Sequence, residues 1–415
     1  MIAKKDVLER VVIFSIILSA FVQMKPYFVW SSFSQSLLVL LPQATIMTTA
    51  VLCLVFLYSR RKIIDRSLCG IILAFSLIWL YRMVAGEGNP SLLSLGNYFF
   101  LFSVVGFLSL DSEIKKDAFR VFSVVFALSL VSGIVLWFLL NLGFELPYQY
   151  LLGDHVGKVA RGGYYRKYFG AAFLYVGYTP FIRLSALYDE PGVVGTFAAL
   201  FIIADDFRIR KPVNIVIAVG GFLSLSLAFF LLTISAVIVR SSIKNLLRAL
   251  LITAMIVVLY FVFINYETSN TAVAWLQNRL RFDVSGLAGD NRTDKYFDYE
   301  FASFLNSGDF QKMLFGKGPG AAVSNLWMSG SATYKSIIYD YGILGFASLI
   351  IWFAFAGVKV SGASRSALVL IAAFLLSIYQ RPSVFALSYI LLLLGGCANL
   401  RKSRKVVSVG VRANS

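Results

Sequence analysis

Arg183-Leu-Ser-Ala-Leu-Tyr-Asp-Glu-Pro-Gly192 runs directly into the apolar stretch Val193-Val-Gly-Thr-Phe-Ala-Ala-Leu-Phe-Ile-Ile-Ala204. Proline restricts the residue before it and suits the first turn of a helix. Glu190 therefore reads as an N-cap and Pro191 as the opening of a helix through Phe207. On this reading Arg183, Asp189 and Glu190 stand at the water-facing end of a membrane span.

The rest of the chain agrees with a membrane setting. Of its 415 residues 59% are hydrophobic and 14% charged, and the mean hydropathy is +0.78. Such values belong to a polytopic membrane protein. The net charge of +17 is no sign of nucleic-acid binding, because much of it lies in short loops between apolar runs, the positive-inside pattern. Cys53, Cys69 and Cys397 fall in or at the ends of apolar spans, so neither a disulfide framework nor a cysteine metal site is expected. Lys4 and Lys5 before an apolar run resemble a signal peptide. No small-x-small cleavage site follows, and the run reads as an uncleaved first span.

Apolar runs near residues 10–29, 36–58, 67–85, 91–110 and 119–143 are long enough to cross a hydrocarbon core of ~30 Å. Arg60, Arg61, Lys62 and Arg66, then Lys115, Lys116 and Arg120, mark alternate loops as cytoplasmic. The N-terminus is then inside and the loop over 144–189 outside. After the span at 191–207, basic loops at Arg208–Lys211 and Arg240–Arg248 both read as inside. Two short or re-entrant helices turning near Gly220–Ser226 would join them; a single long span is the alternative, and it would put the basic C-terminal tail outside. A further span leads to a second external loop, 266–333, and three more complete the chain. The expected fold is an all-α polytopic membrane protein with about twelve transmembrane helices and two large external loops, both termini inside.

The first loop carries His155, Lys158, Arg161, Arg166, Lys167 and Arg183, interleaved with Tyr148, Tyr150, Tyr164, Tyr165, Tyr168, Tyr175 and Tyr178. Arginine forks suit phosphate oxygens and aromatic faces suit sugar rings, although both residue types also populate any membrane interface. His155 is a possible general base, yet Gly153-Asp-His-Val-Gly157 reads equally well as an exposed turn. In the second loop, Asp290 or Asn291 can cap a helix with Arg292 in its first turn, where free N–H groups face an anion. The turn Leu314-Phe-Gly-Lys-Gly-Pro-Gly320 lacks the lysine and serine of a nucleotide P-loop. Asp294, Asp298 and Glu300 surround Lys295 without an Asp-x-Asp motif, so no metal site is expected.

Three separated motifs resemble the O-antigen polymerase and ligase superfamily of bacterial enzymes that join lipid-linked glycans. Arg183 with Glu190-Pro-Gly192 resembles the family's arginine and "EP" stretch after the first periplasmic loop. Asn291-Arg292 ahead of Leu314-Phe-Gly-Lys-Gly318 resembles its second-loop segment, and Asp340-Tyr-Gly-Ile-Leu-Gly345 its acidic-x-Gly-x-x-Gly opening of the tenth span. The resemblance implies that Arg183 and Arg292 grip the diphosphate of an undecaprenyl-diphosphate donor. A departing diphosphate gathers negative charge near a low-dielectric boundary, where preorganised arginines lower the barrier. Arg381, in Tyr379-Gln-Arg-Pro382, is a third cation expected at the same cavity, and Arg161 and Arg166 complete the candidate diphosphate ligands.

Ligases resemble one another in a histidine where this chain has Ser331, which favours a polymerase. The acceptor's base is then unassigned, with Glu190 the first candidate and Asp340 and Asp189 behind it; a plain N-cap is the other reading of Glu190. The implied reaction moves a growing glycan from undecaprenyl diphosphate to the non-reducing end of a new lipid-linked repeat unit, on the periplasmic side of the inner membrane. It implies donor and acceptor lipids, the bilayer and a chain-length regulator (polysaccharide co-polymerase) as partners, and no cofactor, metal or nucleotide sugar. A ligase, or a flippase of lipid-linked oligosaccharide, are the alternatives.

Overall fold

Apolar runs are helical in the computed structural model, which describes residues 7–32, 35–61, 66–84, 95–151, 163–176, 182–242, 246–283, 286–287, 295–322, 333–381 and 384–401. Helices α1 (Val7–Gln23), α2 (Tyr27–Ser32), α3 (Gln35–Ser59), α4 (Arg66–Val84), α5 (Leu95–Ser109) and α6 (Ser112–Asn141) precede the first long loop. After it come α7 (Pro191–Ala204), α8 (Pro212–Leu223), α9 (Leu227–Ser242) and α10 (Leu246–Asn265). The second long loop carries α11 (Thr271–Leu280), α12 (Lys295–Asn306) and α13 (Phe310–Phe315). Then follow α14 (Tyr334–Ser361), α15 (Arg365–Ile378) and α16 (Leu387–Asn399), whose middle is a π-helical turn at Leu391–Gly395.

Every residue of α7 except Val193 is buried. A helix apolar on all sides has no face to offer water, so it is packed from every direction. Phe201 lies among Phe119, Phe122 and Phe126 of α6, with ring centroids 5.7, 5.3 and 4.9 Å away. Phe197 meets Tyr389 of α16 at 4.8 Å, and α8, α9 and α15 also pack on α7. The Glu190–Pro191 junction thus feeds a helix enclosed on all sides. That helix ends at Ala204 with Asp205 as its C-cap, three residues short of the expected Phe207.

The molecule is a mostly helical membrane protein, but the expected count of about twelve spans is corrected. Among the described residues three helices are long and apolar enough to cross a membrane: Leu40–Ser59, Ser112–Asn141 and Tyr334–Ser361. Shorter apolar helices, α7 among them, have 10–17 residues. At ~1.5 Å per residue such helices reach roughly 15–26 Å, less than the ~30 Å core. Apolar length in the sequence had included residues that form turns and connectors. The stretch over 213–239 is two helices, α8 and α9, meeting at Ser224–Ser226, where the hairpin was expected.

The first loop also departs from an all-α fold. Strands β1 (Gln149–Leu151), β2 (Gly163–Tyr168) and β3 (Ala171–Val176) form an antiparallel sheet in that order. Tyr168 pairs with Ala171 across the two-residue turn Phe169-Gly170, with Gly170 at φ 73°. Glycine is the residue that takes such a turn without steric cost. In the second loop, β4 (Phe282–Asp283) and β5 (Gly286–Leu287) make a short ribbon. Phe297, Phe301 and Phe304 recur at helical spacing on α12 and bury against Ala322 and Tyr339, which fastens this loop to α14.

Candidate functional site

The segment Ile182–Glu190 has little regular structure, and its backbone is held from four sides. Leu184 N–H donates to Leu223 O at 3.1 Å, Ala172 N–H to Ala186 O at 2.8 Å and Tyr27 N–H to Leu187 O at 2.6 Å. Tyr165 Oη donates to Asp189 O at 2.7 Å, and Tyr188 Oη shares a hydrogen bond with Ser129 Oγ at 2.7 Å. Leu184, Ser185, Ala186 and Tyr188 are wholly buried. The expected charged rim is therefore an inner connector that shows its charges only at its ends. Ala186 is held at φ 52°, a left-handed conformation costing roughly 1–2 kcal/mol that persists only where the surroundings dictate it.

Glu190 occupies the N-cap position with extended backbone (φ −144°, ψ 142°), and Pro191 opens α7, as the sequence predicts. Its carboxylate makes no capping bond. Arg381 instead donates through Nη2 to Glu190 Oε2 at 2.7 Å, joining residues 191 positions apart. The two side chains are 13% and 24% exposed, so the pair is mostly withdrawn from water. Burial works against the Arg381 charge; the Glu190 carboxylate, with Tyr389 and Asp189 adding, outweighs it and holds the guanidinium above its ordinary range. Arg381 stays charged, and its buried Nε has no hydrogen-bond partner among the described residues.

Arg183 turns toward the α8–α9 hairpin. Its Nε donates to Ser224 O at 3.1 Å and its Nη2 to Leu225 O at 3.2 Å. These carbonyls lie beyond the last turn of α8, where a cation offsets the negative end of the helix. Arg183 thus ties the connector to the hairpin through two of its donors.

Asp340 belongs to a third cluster. Its Oδ1 accepts from Ala322 N–H at 2.8 Å and its Oδ2 from Gly320 N–H at 3.2 Å, while its carbonyl accepts from Gly318 N–H at 3.0 Å. Two motifs read separately in the sequence, Leu314–Gly318 and Asp340–Gly345, are thus one packed unit. Gly316 (φ 84°) and Gly342 (φ 69°) meet backbone to backbone, and a Cβ on either would overlap the other's strand of chain. The kink at Gly342 breaks the helical backbone of α14 at this contact. Both oxygens of Asp340 are engaged, which suits a clamp better than a base.

Arg166 stands apart from these clusters, on the sheet, with its guanidinium 4.3 Å from the ring centroid of Tyr148 and 4.6 Å from that of Tyr175. Arg161, Arg292, His155 and Ser331 lie outside the described residues. Asp298 forms an ion pair with Lys335.

Sequence reasoning missed Arg82. It sits in the last turn of α4, its guanidinium 3.6 Å from the Phe385 ring centroid and 4.8 and 5.2 Å from those of Trp79 and Tyr341. Its Nε donates to Tyr341 Oη at 2.8 Å, and its Nη1 is buried without a partner among the described residues. A lone cation inside the apolar run 67–85 was the signal. Arg381 and Phe385 both lie in the connector between α15 and α16, so one cation belongs to that stretch and the other, Arg82, rests on one of its rings. Buried donors without partners call for an explanation, and anion binding is one that two guanidinium groups supply. Comparisons with protein-family models, with curated proteins and with solved structures find no match to this chain.

Proposed function

We propose that the chain is a glycosyltransferase of the O-antigen polymerase kind, acting at the periplasmic face of the bacterial inner membrane. It transfers a growing glycan from undecaprenyl diphosphate to the non-reducing end of a new lipid-linked repeat unit. The observation that carries the reading is the Glu190–Arg381 ion pair at 2.7 Å. It joins the Glu-Pro-Gly motif before α7 to the arginine after α15, supplying a carboxylate and an anion-binding group side by side.

In the proposed step the bond between the sugar C1 and the diphosphate oxygen breaks, and undecaprenyl diphosphate leaves with the electron pair. The acceptor hydroxyl oxygen bonds to C1 and its proton passes to the Glu190 carboxylate. The arriving diphosphate competes with Glu190 for Arg381, and a carboxylate deprived of its cation becomes more basic. Donor binding thus prepares the base. Arg292 is a further diphosphate ligand on the resemblance alone, and Arg183 acts as a positioning residue through the hairpin turn.

In cells whose surface glycan depends on this protein, Arg381→Gln at wild-type expression is expected to leave single repeat units attached and to remove the ladder of longer chains. Polymer that is made but left unattached to lipid A core would mark a ligase. Repeat unit that accumulates without crossing the membrane would mark a flippase, and either result overturns the polymerase.

A further inference from the structure

The β1–β2–β3 sheet has two chemically different faces. Strand alternation puts Tyr164 and Arg166 on one side of β2 and Tyr165 on the other. Tyr175 is paired opposite Tyr164, and Tyr150 opposite Arg166. The Tyr165 face is buried against Tyr27 and Ala172. The opposite face is open over three of its rings, Tyr148, Tyr150 and Tyr164 being 40, 56 and 40% exposed, while Tyr168 at its end is buried and hydrogen-bonded to Tyr175. Their rings form a continuous run, with centroids 5.2 Å apart for Tyr148–Tyr150, 5.8 Å for Tyr150–Tyr164 and 5.4 Å for the parallel pair Tyr164–Tyr175.

Arg166 lies within this run. Its Nη2 donates to Tyr164 Oη at 3.3 Å, and its Nε is buried without a hydrogen-bond partner among the described residues. The ion pairs of the described residues are made by other cations, so among the described residues this charge has aromatic neighbours and no carboxylate. Phenol faces attract the C–H groups of a pyranose ring, phenol hydroxyls bond its hydroxyls, and an unneutralised guanidinium suits a carboxylate or phosphate. The buried face also leads to the candidate site, since Tyr165 holds the carbonyl of Asp189 at 2.7 Å, next to Glu190.

We infer that the Tyr148–Tyr150–Tyr164–Tyr175 face with Arg166 is a binding subsite for an acidic glycan. It rests on the proposed function for the glycan being a chain that leaves the Glu190–Arg381 site, and on the sheet alone for its binding chemistry. An acidic segment lies along the rings with its anionic group at Arg166, which would hold a growing chain beside the site between additions.

The test uses the full chain in nanodiscs of neutral phosphatidylcholine, with hexagalacturonate as the acidic probe and maltohexaose as the neutral one, and affinities read by calorimetry. Wild-type protein is expected to bind hexagalacturonate saturably and more tightly than maltohexaose. Arg166→Gln, and separately Tyr150→Ala with Tyr164→Ala, should weaken it about tenfold. Should the tyrosine pair lower the melting temperature, Arg166→Gln alone decides. Arg381→Gln should leave hexagalacturonate affinity unchanged while abolishing polymer, so the subsite and the proposed reaction can fail separately. The inference is overturned if wild type shows no saturable binding or if Arg166→Gln binds as wild type does. It is also overturned if the variants lose only adsorption to anionic vesicles, which would make the face a membrane contact.

Discussion

Gly133, in the middle of α6, is the most informative place to add a single carbon. A Cβ there would lie 2.6 Å from Ala186 Cβ and 2.9 Å from Ala186 Cα, against an ordinary contact of ~3.5–4.0 Å. The connector would have to retreat by roughly 1 Å. It has little room, because Ala186 is already at φ 52° and the chain on either side is hydrogen-bonded to Leu223, Ala172 and Tyr27. Overpacking costs about 1–3 kcal/mol, while replacing glycine by alanine within a helix returns about 1 kcal/mol. The net loss of stability for Gly133→Ala is therefore small, about 0–2 kcal/mol. Activity should suffer more, because Glu190 lies four residues beyond Ala186 and a ~1 Å misplacement of a reacting group can cost about a hundredfold. The assay pairs a melting curve in detergent with the surface-glycan ladder at matched expression. Leu128→Ala, on a 66% exposed position of the same helix, is the control and should leave both unchanged. A Gly133→Ala protein that melts higher than wild type and makes a full ladder would refute the claim that this contact sets the position of Glu190.

Two further substitutions separate scaffold from chemistry. Gly342→Ala forces a side chain at φ 69° into the Leu314 carbonyl; overlap with backbone leaves no soft neighbour to yield, and a loss of at least about 3 kcal/mol, read as failure to accumulate folded protein, is expected. Asp340→Asn keeps one acceptor oxygen of the clamp and loses the other, so stability should fall by about 1–2 kcal/mol. Turnover per folded molecule, and its pH profile, should stay unchanged; a loss of a hundredfold or more in turnover without destabilisation would return Asp340 to the chemistry.

How far these features were legible depended on the range of the forces involved. Membrane character, the Pro191 helix start and the break between α8 and α9 are local consequences of composition and turn residues, and they could be read. The sheet carries a readable sign as well, a tyrosine-rich alternation around Phe169-Gly170, but tyrosines suit sugar rings and membrane interfaces alike, and neither reading calls for a strand. Span lengths were overread because hydropathy does not mark where an apolar run bends. The pairing of Glu190 with Arg381, and of Gly316 with Gly342, lies beyond local reasoning: each joins segments set together only by tertiary packing. Arg183 as a diphosphate ligand and Asp340 as a candidate base follow from the resemblance, whereas their hydrogen bonds to the backbone of Ser224, Leu225, Gly320 and Ala322 come from tertiary packing that the sequence does not display.

In the proposed reaction Glu190 and Arg381 act as one unit in glycan transfer. A double-mutant cycle on the purified protein in nanodiscs, supplied with an undecaprenyl-diphosphate-linked repeat unit and scored by release of undecaprenyl diphosphate, tests it most directly. Arg381→Gln and Glu190→Gln are each predicted to slow transfer by about a hundredfold or more, and the double variant to be no slower than the worse single one, as for residues that work together. Wild-type turnover in Arg381→Gln, or losses that multiply in the double variant, would contradict it.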